Sequence, residues 1–597
     1  MAAGELQTAD VLWDLSDLAS GDDQARGDWP LLVERANEFA ARYRGRIDEL
    51  DAAAMRLLLD EADEVGQELS RLQVYTHLRL SMDAADPDAN DLATVSRDRG
   101  ADVENALLFL GLEWIALDDD RAESLLASPE IEPFAHKLRV EREEKPYVLG
   151  EAEEQALNAR RPAVSAWGAL HDRQVATLEI PFDAGEGEQA HTISSLLSYL
   201  YRPERSLRLS AQSALLEGLQ PRADVLAACY DALVGDRLGI DRLRGFTDPM
   251  QPTNMANELD GEAVEAMMSA TEESYEIARR WFRAKAGLLD LDTLALADQY
   301  APLGEARAFS WPEAVEIVDT SFDRFSPRLG EIFRACLAAG HVDAPPRAGK
   351  ATGAYCTPVT KTILPYVLLN YTERLRDVTT LAHEFGHATH NVLALERQAW
   401  HSHRTGIPVA EVPSTFAQSL SDDYLLEAET DPQTRAALAS DRLESAFAAI
   451  FRQTVLARFE QRSYALRMEG RALTAERLSE VWQEEQQRYY GDSLDLPDSY
   501  RVGWSYIPHF IHVRFYTYAY SFAQLVALLL YGSYRDDPEA FVPLYLEFLG
   551  RGGSASPADL LAPFGLDLRS TDTWRRAFAE LDALRQNAED LAAAAQG

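Results

Sequence analysis

Long stretches of this chain repeat apolar residues at every third or fourth position, the spacing that lines one face of an α-helix. Two such stretches are "AAAMRLLLDEADEVGQELSRLQVYTHLRLSM" and "LESAFAAIFRQTVLARFEQRSYALRMEGR". Turn-forming segments such as "DAADPDAND", "EEKPYVLGE", "FTDPMQPTN" and "LGRGGSASPADL" separate the helical runs. Two regions break the rhythm. "VATLEIPFDAGEGEQAHTI" surrounds a Gly-rich turn with β-branched and aromatic residues, which predicts a hairpin. "GAYCTPVTKTILPYVLLNYT" has strand character with prolines suited to edge strands. The expectation is a mainly α protein in two regions. Residues 1–190 form a helical region ending in the hairpin. Residues 191–597 carry the chemistry, with a small antiparallel sheet beside the helix described next.

That helix contains "TTLAHEFGHATHNVL", Thr379 to Leu393. Residues four apart lie one above the other on a helix, so His383 and His387 can both aim a ring nitrogen at one ion. Glu384, rotated about a hundred degrees from His383, stands beside that ion and can take a proton from water. A catalytic zinc needs a third protein ligand and an open position. The pattern H-E-x-x-H-x-x-G-x-x-H is excluded, because His390 and Leu393 stand where it needs Gly and His. Glu396 falls on the opposite face of a continued helix. Glu411, in "GIPVAEVPSTFAQSL", opens a new helical segment that can return antiparallel to the first, with His401 and His403 in the intervening loop as rivals. His390, one turn beyond His387, is expected to be structural.

The charge balance narrows the function further. Lys+Arg number 57 against 98 Asp+Glu, a formal charge of −41. Such a surface disfavours nucleic acid and anionic membranes as partners. Three cysteines in 597 residues make no disulfide framework. The first residues lack the basic and apolar regions of a signal peptide. "FAQLVALLLYG" is well short of the roughly 20 residues a membrane span needs. A cytoplasmic location is the expectation.

With these residues in place the chain resembles the oligoendopeptidase F family of zinc metallopeptidases, relatives of thimet oligopeptidase. "HEFGHATH" followed by "VAEVPSTF" carries the resemblance. So do "RAGKATGAYC", "LPYVLLNYTERLRDVTTLAHEFGH" and "GWSYIPHFIHVRFYTYAYSFA", in that order, along with "LWDLSDL" and "SAWGALHDRQVATLEIPF". The resemblance implies a two-lobed helical body of zincin type with a deep channel and one zinc per chain. It assigns His383, His387 and Glu411 as zinc ligands and Glu384 as general base. Gln418 departs from the family, which has Glu at that position.

The block "YIPHFIHVRFYTYAYSF" sets His509, His512, Tyr516 and Tyr520 at helical spacing, one face rich in hydrogen-bond donors. The resemblance makes His509 and Tyr516 the ligands of substrate and transition state, with Tyr506, Tyr518 and Tyr520 as alternatives. "RAGKATGAYC" lacks the G-K-[ST] ending of a phosphate loop and, by the resemblance, belongs to the active-site sheet, where an edge strand would pair with an extended peptide. The implied activity is hydrolysis of internal bonds in short, unfolded peptides. The alternatives are a peptidase releasing dipeptides or C-terminal residues, and a non-catalytic peptide-binding protein.

Overall fold

The computed structural model describes residues 7–185, 187–304 and 307–596. It is mostly helical, and it divides into two compact units assembled from alternating segments of chain. Unit 1 comprises Met1–Lys145, Arg307–Ala428 and Leu530–Leu566; unit 2 comprises Pro146–Ala306, Glu429–Leu529 and Asp567–Gly597. Each unit takes residues from both sides of position 190.

In unit 1, helices Asp22–Tyr43, Ala52–Met82 and Pro87–Leu107 pack on one another. The second spans the first helical stretch read from the sequence, and Asp51 caps its N-terminus by accepting the Ala54 N–H. Their apolar faces bury Trp29, Phe39, Leu58, Val65, Leu72 and Val103 in a core that also takes Val359, Tyr366 and Leu368 from a small sheet. Of these, Val359 lies in the loop that follows strand Tyr355–Thr357; the sheet itself has the order Val342–Asp343, Tyr366–Leu368, Tyr355–Thr357. The two strands foreseen in "GAYCTPVTKTILPYVLLNYT" pair antiparallel, with Tyr355 opposite Leu368. A third, only two residues long and invisible to a periodicity argument, joins in parallel with Val342 opposite Val367.

The sheet is held from several sides. The Trp13 indole donates to the Val367 carbonyl at 2.9 Å, and the Tyr366 hydroxyl donates to the Asp14 carbonyl at 2.9 Å. "RAGKATGAYC" works here as a clamp. Arg347 donates twice to the Asp343 carboxylate, both at 2.7 Å, and the Lys350 ammonium donates to Asp343 Oδ1 at 2.7 Å and to the Pro345 carbonyl at 2.9 Å. The Asp343 and Lys350 side chains are fully buried. Burial works to lower the Lys350 pKa and Asp343 works against it. This lysine is committed to the sheet, in keeping with the rejection of a phosphate loop.

In unit 2, helix Glu151–Ala176 packs on Ala223–Arg244, and Pro432–Phe447 packs on Thr571–Gln596. The expected hairpin is present as Ile180–Asp183 paired with Glu188–His191, with Ile180 opposite His191. The Asp183 carboxylate accepts the N–H groups of Gly185 and Gly187, both at positive φ. The second helical stretch forms as Pro432–Phe447 and Gln453–Met468, joined by a π-helical turn, Ala448–Arg452. A buried pair, Lys285 with Glu444, lies in this unit, and the Trp281 indole donates to Glu444 at 2.9 Å. Among the described residues no helix is long and apolar enough to cross a membrane.

Asp343→Asn leaves Lys350 and Arg347 without their counter-charge in a buried setting, a change that typically costs about 3–5 kcal/mol. Chemical denaturation followed by circular dichroism should show an early transition for the variant. An unchanged unfolding curve would mean that the clamp does not hold the sheet.

Candidate metal centre and the histidine–tyrosine block

The helix carrying the motif runs from Leu375 to Arg397. Its start is fixed by Asp377, whose carboxylate accepts the N–H groups of Thr372 at 2.6 Å and Arg374 at 3.1 Å. The negative side chain also suits the positive end of the helix dipole. Glu373 precedes it at φ 64, in the left-handed region, and its carbonyl accepts the Phe309 N–H. These contacts set where the histidines fall along the helix.

A second helix, Ile407–Ala428, packs against the first more extensively than any other pair of elements. The reason is Gly386. A Cβ at this position would lie 2.5 Å from Ser414 Cα and 2.6 Å from the Pro413 carbonyl oxygen, so only glycine lets the backbones meet. The approach brings one donor atom each from His383, His387 and Glu411 within 4.8 Å of one another. Glu411 Oε2 lies 3.5 Å from His383 Nε2 and 3.4 Å from His387 Nε2. These spacings are longer than the roughly 2.7–3.2 Å of an N–H···O hydrogen bond. They match the edge of a tetrahedron around an ion bonded at about 2.0–2.1 Å, which is about 3.3 Å. The donor set and its spacing therefore fit a tetrahedral metal with one position left open.

Ser414 completes the arrangement. Its hydroxyl donates to the Glu411 carbonyl at 2.8 Å and touches Glu411 Oε2 at 3.2 Å, steadying the carboxylate. Sequence reasoning missed it, although the i, i+3 relation to Glu411 was there to read. Burial alone would raise the Glu411 pKa, but the two facing imidazoles overcome it and hold the carboxyl well below the usual range.

Glu384 is 6% exposed and makes no hydrogen bond among the described residues. Burial lifts its carboxyl to about 7, His383 opposes the shift and the Glu411 charge adds to it. A dication at the cluster would pull in the opposite direction. The strand Tyr355–Thr357, at the edge of the sheet, packs against this helix.

The rival residues have other engagements. His401 pairs with the Asp63 carboxylate, which also accepts the Trp400 N–H at 2.6 Å. The buried His403 meets the Trp400 carbonyl through Nδ1. Glu396 pairs with Arg328. His390 is buried facing Phe548, and burial lowers its pKa to about 3, so it stays neutral and structural. Gln418 is part-buried and makes no hydrogen bond among the described residues.

In unit 2, the expected single helical face of His509, His512, Tyr516 and Tyr520 does not form. A short helix, His509–His512, is followed by irregular chain before helix Tyr518–Asp536 begins. The break has a cause. The buried Glu460 carboxylate accepts the Phe515 N–H at 2.8 Å, and Phe515 sits at φ 51. Arg237 donates to the Phe510 carbonyl at 2.9 Å, and Arg514 pairs with Asp241 at 2.7 Å. These side chains take the backbone groups and anchors that a continuous helix would need. His512 consequently points to Asp172, at 3.0 Å. His509, Tyr516 and Tyr520 still gather, as rings 5.7, 6.0 and 5.2 Å apart. All three are part-exposed, whereas Tyr518 is buried with its hydroxyl bonded to Asn254 and Asn257.

With the fold and the cluster in view, the chain belongs to peptidase family M3, whose model matches residues 198–580. The Oligopeptidase F model matches residues 113–180. It is thus a metalloendopeptidase, a hydrolase. Among curated relatives, Oligopeptidase PepF of Bacillus subtilis is 25% identical over 572 residues, covering 94% of this chain and 84% of that protein. A crystal structure from Chlamydophila abortus superposes with a TM-score of 0.85 at 22% identity, over 99% of both chains. Oligoendopeptidase-F from Enterococcus faecium does so at 0.72 and 20%, over 96% of this chain and 99% of that one.

Ser414→Ala removes the hydroxyl that steadies Glu411. Residues supporting a metal ligand in this way typically contribute ten- to a hundredfold in affinity. Titration with a competing chelator should show a loss of about that size with the helical circular dichroism unchanged. Equal affinity in variant and wild type would exclude the orienting role.

Proposed function

We propose that this protein is a zinc-dependent endopeptidase of short, unfolded oligopeptides, with one zinc per chain held by His383, His387 and Glu411. The observation that carries the reading is the spacing of those three donor atoms beside a buried carboxylate, Glu384, that makes no hydrogen bond among the described residues. Zinc held there would acidify water and polarise a peptide carbonyl.

The chain's own groups then divide the work. Glu384 takes a proton from the attacking water and hands it to the leaving amine nitrogen, assistance worth roughly a hundred- to ten-thousandfold in rate. His509 and Tyr516 donate to the oxyanion that develops as the carbonyl carbon becomes tetrahedral. The edge strand Tyr355–Thr357 offers unpaired backbone groups to an extended peptide. The name of the Bacillus subtilis relative supports oligopeptides as the substrate class. Three unpaired thiols suit a reducing cytoplasm.

The test compares wild type with Glu384→Gln for metal content and for cleavage of a ten-residue peptide followed by mass spectrometry. Both proteins should carry about one zinc, and the variant should lose at least a hundredfold in rate. Cuts should fall within the peptide. Stepwise trimming from one end would favour the dipeptide- or carboxy-releasing alternative. A variant as fast as wild type would remove Glu384 from the mechanism.

A further inference from the structure

Helices Ala52–Met82 and Pro87–Leu107 pack on one another in unit 1, yet between them they leave a groove of about 430 Å³. That volume is within the roughly 300–1,000 Å³ of a ligand site. Gln73 and His77 line the groove from the first helix, and Ser96, Arg97, Gly100 and Glu104 from the second. The spacing of each set puts it on one helical face. Gly100 keeps the wall open, since a Cβ there would come 3.1 Å from Gln73 Nε2. Most of the polar lining is uncommitted. Among the described residues Arg97 makes no hydrogen bond and no ion pair, and His77 makes no hydrogen bond. Glu104 accepts only a long contact, 3.4 Å, from the Gln73 amide.

The groove is joined to the sheet beside the histidine-bearing helix. The His77 ring lies 5.2 Å from the ring of Tyr355, the first residue of strand Tyr355–Thr357. Main-chain hydrogen bonds tie the end of the first helix to the loop before that strand. The Ala351 N–H donates to the Ser81 carbonyl at 2.9 Å, and the Ala84 N–H donates to the Gly349 carbonyl at 2.8 Å. The strand is paired along one edge only and packs against helix Leu375–Arg397. Groove, strand and the cluster of His383, His387 and Glu411 all belong to unit 1. Ala93 and Glu104, both on the groove wall, are about 16 Å apart along their helix at 1.5 Å per residue. An extended chain covers that distance in about five residues.

We infer that this groove takes up the flank of an extended peptide whose neighbouring residues lie along the edge strand Tyr355–Thr357. Charge selects the class of ligand. Glu104 opposes an anion such as phosphate, and Arg97 opposes a bare cation. A peptide main chain is neutral and alternates N–H donors with carbonyl acceptors. Arg97 supplies donors and Glu104 acceptors, while Gln73 and Ser96 serve as either. A helix or a paired strand has already spent those main-chain groups on itself, so the fit is to an unfolded peptide. Recognition through the main chain makes the groove tolerant of side chains and sensitive to length. The inference rests on the peptidase reading for its substrate class and adds to it the residues that respond to peptide length.

The test lengthens a pentapeptide stepwise to a decapeptide, from its N-terminus in one series and from its C-terminus in another. Binding is measured by calorimetry on the metal-loaded Glu384→Gln protein, where cleavage does not interfere, and KM and kcat are measured on wild type. Each main-chain hydrogen bond gained strengthens Kd by about two- to tenfold. Lengthening across the groove should therefore strengthen binding by at least about tenfold in one of the two series, with the change in KM. Ala101 is exposed on the groove wall, so Ala101→Trp, added to the Glu384→Gln protein, fills the groove from outside the core. It should abolish the gain from lengthening with the helical circular dichroism unchanged, and Arg97→Met should remove part of that gain. A benzophenone at the end of the longer peptide should cross-link within residues 73–80 or 93–104. A Kd independent of length in both series would overturn the groove. So would an equal gain in Ala101→Trp, a loss of the same size for short and long peptides, or cross-links elsewhere. Groove-dependent binding without any cleavage by wild type would instead overturn the peptidase reading and leave the groove standing.

Discussion

Two helix backbones touching at Gly386 are the constraint on which the cluster of His383, His387 and Glu411 depends. His383 and His387 belong to one helix and are aligned by its geometry alone, but Glu411 belongs to another. Its carboxylate reaches the imidazoles because the chain at Ser414 and Pro413 comes as close as backbone can come to position 386. A Cβ there would lie 2.5 Å from Ser414 Cα, so any side chain would force the helices apart. The same approach seats Ser414 against both oxygen-bearing groups of Glu411, so packing and ligand orientation have one origin. The capping of the first helix by Asp377 then sets the height at which the histidines meet their partner.

Elsewhere helical regularity is broken in unit 2, and each break is satisfied by a named side chain. Ser521 meets the Ile450 carbonyl in the π-turn Ala448–Arg452. Glu460 takes the Phe515 amide at the kink between His509 and Tyr516. Burial pushes the Glu460 carboxyl up to about 8, with Arg237, the Phe515 N–H and Arg514 opposing the shift. Polar side chains spent on local backbone are what allow irregular chain to persist inside a protein.

These departures mark the limit of what could be read in advance. Helix Ala52–Met82 was legible because its apolar spacing, its aspartate cap and its neighbours all agree on one structure. The pairing of His383 with His387 was legible because both lie within one element. Glu411 needed the resemblance, since the order of residues says nothing about which of several loop and helix side chains a second helix will deliver. The block from His509 to Tyr520 misled for a related reason. Its spacing is helical, but Glu460 and Arg237, distant in sequence, take its backbone groups and overrule local preference.

Compensation of charge separates the residues that hold this protein together from those left open to a ligand. Lys350 with Asp343 and Lys285 with Glu444 are buried pairs whose removal would leave a stranded charge, and each closes on itself. Glu384 is as firmly built into its surroundings, yet among the described residues it makes no hydrogen bond and no ion pair. Folding gains nothing from leaving such a group unsatisfied.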